Sequence, residues 1–191
     1  MTKGKVIIIG GTPRAGKTTL ANRLAKNGFS KISFDLVSDA LQKGFPNLID
    51  NWVSQQECAQ KKYLFFEGLV EGAVNDAKIY GLNTVFDVYD FTPEYVSRLP
   101  FQNDIAVFYL GYLGFSADEI RHNIRFYAEP TDWIAQVDED YLTEVAQRCY
   151  SFNEILLMQC KEYNYEFVDT KAGADREKVL NELFLTITNL Q

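Results

Sequence analysis

The chain has little of several things, and each shortage closes an option. It carries one histidine, His122, which cannot build a metal site alone and is read as a solvated residue. Its three cysteines, Cys58, Cys149 and Cys160, are odd in number and match no zinc spacing. They read as buried free thiols in a reducing compartment, not as a disulfide framework. No apolar run is long enough to span a bilayer. The N-terminal run at residues 6–9 has the length of one strand, so neither a signal peptide nor a membrane partner is expected, and the cytoplasm is the expected location. Basic clusters are also missing. The densest is the pair Lys61 and Lys62, in a chain of formal net charge -7 and pI about 4.8. A nucleic-acid binder carries a basic patch or stripe, so no nucleic-acid partner is expected. A polyanionic small molecule would need a local basic pocket set into this acidic surface. Internal repeats and low-complexity tracts are absent too.

What is present is an ordinary globular composition, 47% apolar and 24% charged over 191 residues, rich in Phe and Tyr. One domain over 1–191 is expected. Residues 5–9 form a continuous β-branched run, the mark of a strand buried on both faces. Further strands are expected at 29–34, 84–88, 104–112 and 165–170. Helices are expected between them: 17–26, stopped by Asn27 and Gly28; 35–44; about 55–79; a short one with Thr92 as N-cap and Pro93 at its first position; 116–129, with Ser116 and Glu119 as a capping box; 138–163; and 174–190. Five strands alternating with helices predict a parallel sheet covered on both faces, a three-layer α/β/α architecture. In such sheets, ligands bind at the carboxyl ends of the strands.

The first strand end carries "GGTPRAGKTTL". Gly11, Thr12, Pro13, Arg14, Ala15, Gly16, Lys17 and Thr18 match G-x-x-x-x-G-K-[ST] in full, between a strand and a helix. Small residues let the backbone wrap a phosphate, and the helix N-terminus adds partial positive charge. Lys17 supplies a cation for the β- and γ-phosphates, the Thr18 hydroxyl suits magnesium, and Thr19 follows within reach of the nucleotide.

Other strand ends supply candidates. Asp35 reads as a helix N-cap, as a carboxylate that orients or deprotonates an acceptor hydroxyl, or as both. Asp39, a turn later, reads as a solvated helix face. Asp87 could hold magnesium through water or polarise the attacking hydroxyl, with Asp90 close enough to compete. Arg121 and Arg125 share a helix face and read as a phosphate clamp, or as surface partners of Asp118 and Glu119. In "DTKAGADREKVL", the backbone of Lys171 to Gly173 is placed to frame an adenine. Gly173 stands where a guanine-reading loop needs Asp, which argues against a GTP switch.

These residues resemble the P-loop kinases of small molecules, the nucleoside monophosphate kinase, shikimate kinase and 2-phosphoglycerate kinase group. The loop 11–18 is the specific part. "ISFD" resembles their second-strand acidic residue. "FDVYDFTPEYV" resembles the third-strand acidic segment before an acceptor loop, and "EIRHNIR" a lid with arginines. "FVDTKAGADREKVL" resembles the last strand, adenine loop and helix. The resemblance implies strand order 2-3-1-4-5, a lid at about 114–137, an acceptor-binding helical region at about 36–80, and ATP and magnesium as cofactors. It departs from adenylate kinase, because Asp87 is followed by Val88 and Tyr89, and from zinc-bearing lids, because the lid has no cysteines. The expected activity is transfer of the γ-phosphate of ATP to a small-molecule acceptor. Two other readings stay open: a regulatory ATP-binding protein without transfer, and a kinase of nucleic-acid ends. Aromatics in 45–66 read as a substrate wall or as a patch for a homodimer.

Overall fold

Three consecutive isoleucines, Ile7 to Ile9, define the centre of the molecule. In the computed structural model, which describes residues 4–44, 55–89, 91–130, 132–170 and 174–190, they lie in β1 (Val6–Gly11), buried at every position. β-Branched side chains on a strand covered from both sides need no polar alternation. β1 pairs in parallel with β3 (Asn83–Asp87) and β4 (Ile105–Gly111). β2 (Phe29–Ser33) adds outside β3, and β5 (Glu166–Asp169) outside β4. The order is β2-β3-β1-β4-β5, all parallel, as the resemblance implies.

Successive side chains of a strand point to opposite faces, and two cores result. Ile7, Ile9, Val85 and Leu110 pack under α1 (Lys17–Ala25), α5 (Ala117–Phe126) and α7 (Ala174–Thr188). Val6, Ile8, Phe86 and Tyr109 pack under α2 (Phe34–Gly44), α3 (Gln55–Tyr80) and α4 (Pro93–Val96). α6 (Glu139–Tyr163) serves both: Leu142 to Cys149 join the first core, Leu156 and Cys160 the second. Burial pushes the thiols of Cys149 and Cys160 up to about 11 and about 12, and both are free.

The second core is aromatic. Phe34 meets Phe66 and Phe91 edge-on, and Phe66 stacks on Phe91 at 3.8 Å. These contacts explain a shift from the expected boundary. Phe34 leaves the strand and opens α2, so Asp35 sits inside the helix's first turn, two places past the cap position at Ser33. The capping box forms as expected, with Ser116 and Glu119 exchanging bonds. α5 nevertheless ends at Phe126, one turn early. Glu129 N–H is committed to Asp132 Oδ2 at 2.8 Å, and the residue before Pro130 disfavours helix. Among the described residues, no helix is long and apolar enough to cross a membrane.

Candidate active site

The loop from β1 into α1 is shaped by close approach. Gly11 lies at φ +134°, and a Cβ there would stand 2.0 Å from the Leu110 carbonyl. Gly16 lies at φ +95°, and its Cβ would stand 2.9 Å from Leu180. Only glycine satisfies both demands. Thr12 N–H donates to Leu110 O at 2.8 Å, and Ala15 N–H returns to Thr12 O at 3.2 Å, which closes the turn. Gly16 caps α1 without a side-chain bond, and the first turn of α1 holds no acidic residue. The partial positive charge of the helix start is therefore not offset by the helix itself.

Lys17 opens α1 and is buried, and its ammonium donates to Thr12 O at 2.9 Å. Burial holds its pKa below the ordinary lysine range, against the opposing pull of Asp87 and then Asp35. The Tyr89 ring lies 5.8 Å from Nζ. Asp87, the last residue of β3, is 7% exposed, with Lys31 Nζ 3.7 Å from its Oδ2. Asp35 is exposed at the start of α2.

These groups line one cavity of about 500 Å³. Its loop side is Pro13, Arg14, Gly16, Lys17, Thr18 and Thr19. Asp35, Asp87, Tyr89, Ile124, Ile134, Arg176 and residues of α6 complete the lining. Gly11, Thr12 and Ala15 are buried behind the lining. They shape the loop and are not part of the cavity surface.

The expected arginine pair lies elsewhere. Arg125 donates to Ile134 O, Val137 O and Glu139 Oε1, at 3.1, 3.2 and 2.6 Å. Arg121 pairs with Asp118 at 3.7 Å and Glu139 at 3.5 Å. Neither lines the cavity: the acidic start of α6 and the carbonyls ahead of it capture them. Arg148 and Arg176 line it instead, beside Arg14 and Lys17. Sequence reasoning missed both. Arg148 follows Tyr141 by seven residues, two turns along α6, and lies over its ring at 5.7 Å, a spacing that could have signalled it. Arg176 lies over Tyr127 at 4.0 Å; its Nε is buried and has no hydrogen-bond partner. Asp90, Lys171 and Gly173 lie outside the described residues.

Four cations and two carboxylates in one cavity suit a polyanion whose negative charge changes position during reaction. Arg176 adds a permanently charged guanidinium to that lining, with its Nε buried and unpartnered. Among the described residues, no cluster of three metal-ligating side chains occurs. A hydroxyl and a carboxylate, Thr18 and Asp87, match magnesium, which keeps waters and phosphate oxygens in its shell. The donor set thus suits a nucleoside triphosphate with magnesium.

No protein-family model and no curated protein sequence matches the chain. Solved structures do. Shikimate kinase from Acinetobacter baumannii in complex with shikimate superposes with a TM-score of 0.53 at 18% identity, covering 97% of this chain and 94% of that one. Shikimate kinase from Bacteroides thetaiotaomicron matches at 0.53 and 17%, covering 96% and 98%. A gluconokinase from Sinorhizobium meliloti 1021 matches at 0.54 and 13%, covering 98% of each. With its parallel 2-3-1-4-5 sheet and glycine-bounded first loop, the chain has the fold of the P-loop small-molecule kinases.

Proposed function

We propose that the chain is an ATP-dependent kinase that moves the γ-phosphoryl group of ATP to a hydroxyl or phosphate of a small-molecule acceptor. The observation that carries this reading is the meeting of Lys17, Asp35 and Asp87 in one cavity above a glycine-bounded loop. Lys17 stays seated on the Thr12 carbonyl and turns its remaining N–H donors to the negative charge on the β- and γ-phosphates. Arg14, Arg148 and Arg176 spread the remaining charge along the chain of phosphates. Asp35 faces the acceptor, orients its hydroxyl and accepts the proton as the oxygen–phosphorus bond forms. Thr18 and Asp87 would hold magnesium, which supplies charge neutralisation between the outer phosphates. The desolvated Lys17 points to a dry site, in which these fixed charges act strongly. Residues 114–137 act as a lid, fastened to the phosphate loop by the Arg14–Asp132 ion pair.

The test is acceptor-dependent release of ADP. The chain is mixed with magnesium and ATP and a panel of sugar acids, polyols, hydroxy acids and nucleosides. A kinase releases ADP with some panel members and not without them. ATP binding with no such dependence would favour a regulatory nucleotide-binding protein. Lys17→Ala is expected to abolish transfer with the fold intact, and near-wild-type turnover would reject the loop assignment.

A further inference from the structure

α6 buries an apolar stripe, with one exception. Between Cys149 and Leu156 stands Asn153, 1% exposed. A buried amide without partners is costly, and a leucine would serve the packing better. Asn153's side-chain bonds join the loop described above to the residue that follows β4. Its Oδ1 accepts from Thr12 Oγ1–H at 2.9 Å and from Tyr112 N–H at 2.9 Å. Its Nδ2 donates to Tyr112 O at 2.7 Å. The reverse orientation of the amide would face donor to donor at Tyr112 N–H. The side chain therefore pairs with both peptide groups of Tyr112, just past the end of β4, and has one lone pair left for Thr12.

Room has been left for it. A Cβ on Gly111 would stand 2.5 Å from Asn153 Oδ1. The Gly111 carbonyl is held from the other side by Thr170 N–H at 2.9 Å and Thr170 Oγ1–H at 3.0 Å. Thr12 itself is 0% exposed and does not line the cavity, so its hydroxyl cannot serve a ligand directly. What Thr12 offers the cavity is its carbonyl, the seat of the Lys17 ammonium at 2.9 Å.

We propose that Asn153 is a positioning residue: it ties the Thr12 hydroxyl to the end of β4 and thereby fixes the carbonyl that seats Lys17. The inference rests on the kinase reading of that site. Thr12 is then pinned through its N–H by Leu110 and through its hydroxyl by Asn153. Lys17, with four rotatable bonds, starts from one defined place. Without the tie, the carbonyl shifts and the ammonium samples positions away from the β- and γ-phosphates.

The test compares equilibrium binding of ATP and of AMP, each with magnesium, by calorimetry and competition. Wild type is set beside Thr12→Val, Thr12→Ser, Asn153→Ala and the Thr12→Val/Asn153→Ala pair. AMP lacks the phosphates that Lys17 reaches, so general loosening of the fold would weaken both ligands together. Thr12→Val and Asn153→Ala are each expected to weaken ATP by about tenfold, AMP by less than about twofold. Thr12→Ser keeps the hydroxyl and is expected to stay within about twofold of wild type. The double variant is expected to add little to either single one, because both remove the same link. Should Asn153→Ala fail to fold, Thr12→Val decides. It preserves volume, and Asn153 Oδ1 keeps its bond to Tyr112. Wild-type ATP:AMP ratios in a folded Thr12→Val protein would overturn the inference and leave the kinase reading standing. Failure of the wild type to bind ATP would overturn both.

Discussion

Arg14 Nη1 lies 2.8 Å from Asp132 Oδ2, which joins the β1–α1 loop to the segment between α5 and α6. Arg14 sits at φ +63°, a left-handed position uncommon for a side chain with a Cβ. The Glu129 N–H holds the Asp132 carboxyl below its usual range; partial desolvation opposes this, and Arg14 adds to it. Asp132 therefore competes as an anion with any phosphate for Arg14. In Asp132→Ala, ATP affinity is expected to rise by about three- to tenfold, read by calorimetry. Both groups are more than a quarter exposed, so the loss of stability should stay below about 1 kcal/mol.

Arg125 and Arg148 should separate cleanly. Arg125 holds two carbonyls and Glu139. Arg125→Ala leaves those carbonyls unpaired and is expected to cost about 1–2 kcal/mol in urea unfolding. Arg148 is exposed at the cavity wall and packs on Tyr141. Arg148→Ala is expected to leave the unfolding midpoint in place and weaken ATP by about tenfold. The opposite pattern would return the phosphate clamp to α5.

The contrast marks what a linear reading can see. β1 was legible because buried parallel strands are continuously apolar, and the loop because its glycines and lysine sit at fixed spacing. The end of β3 brings Asp87 to the cavity for the same topological reason. Apart from Arg14 in the loop, the cavity's arginines were not legible. Arg121 and Arg125 sit on one helix face, but Glu139, across a turn, captures both. Arg148 and Arg176 lie far from the loop in sequence and reach it only once α6 and α7 pack. Asn153 carried a weak signal, an amide in an apolar stripe that runs from Cys149 through Leu156 to Cys160.

Lys17 also sets a pH dependence. Its folded pKa is lowered from 10.5, mainly by burial. Between that lowered value and 10.5, the unfolded chain binds more protons than the folded one, so this group's contribution to stability rises with pH. Below the window, the buried ammonium is a standing cost. Lys17→Met removes that cost and is therefore expected to be at least as stable as wild type at neutral pH. The gap should narrow as pH approaches 10.5. Buried tyrosines such as Tyr109 and Tyr112, whose raised pKa values remove stability above pH 10, act in both proteins and cancel in the difference. Urea midpoints of the two proteins at pH 7 and pH 10 check this.

The two carboxylates of the cavity are expected to fail in different ways. Asp35 is exposed at the start of α2, where its charge favours the helix by only about 0.3–1 kcal/mol. Asp35→Asn should leave the fold and ATP affinity nearly unchanged and lower turnover by about 10²–10⁴-fold, the usual share of a general base. Asp87 is buried near Lys31 and offsets the burial of Lys17. Asp87→Asn should lower stability and raise the magnesium concentration needed for half-maximal rate. Steady-state rates across a magnesium titration, with ATP affinity measured alongside, separate the two. If Asp35→Asn weakened ATP while turnover held, Asp35 would be a helix-end charge, and the acceptor's proton would have to go to Asp87.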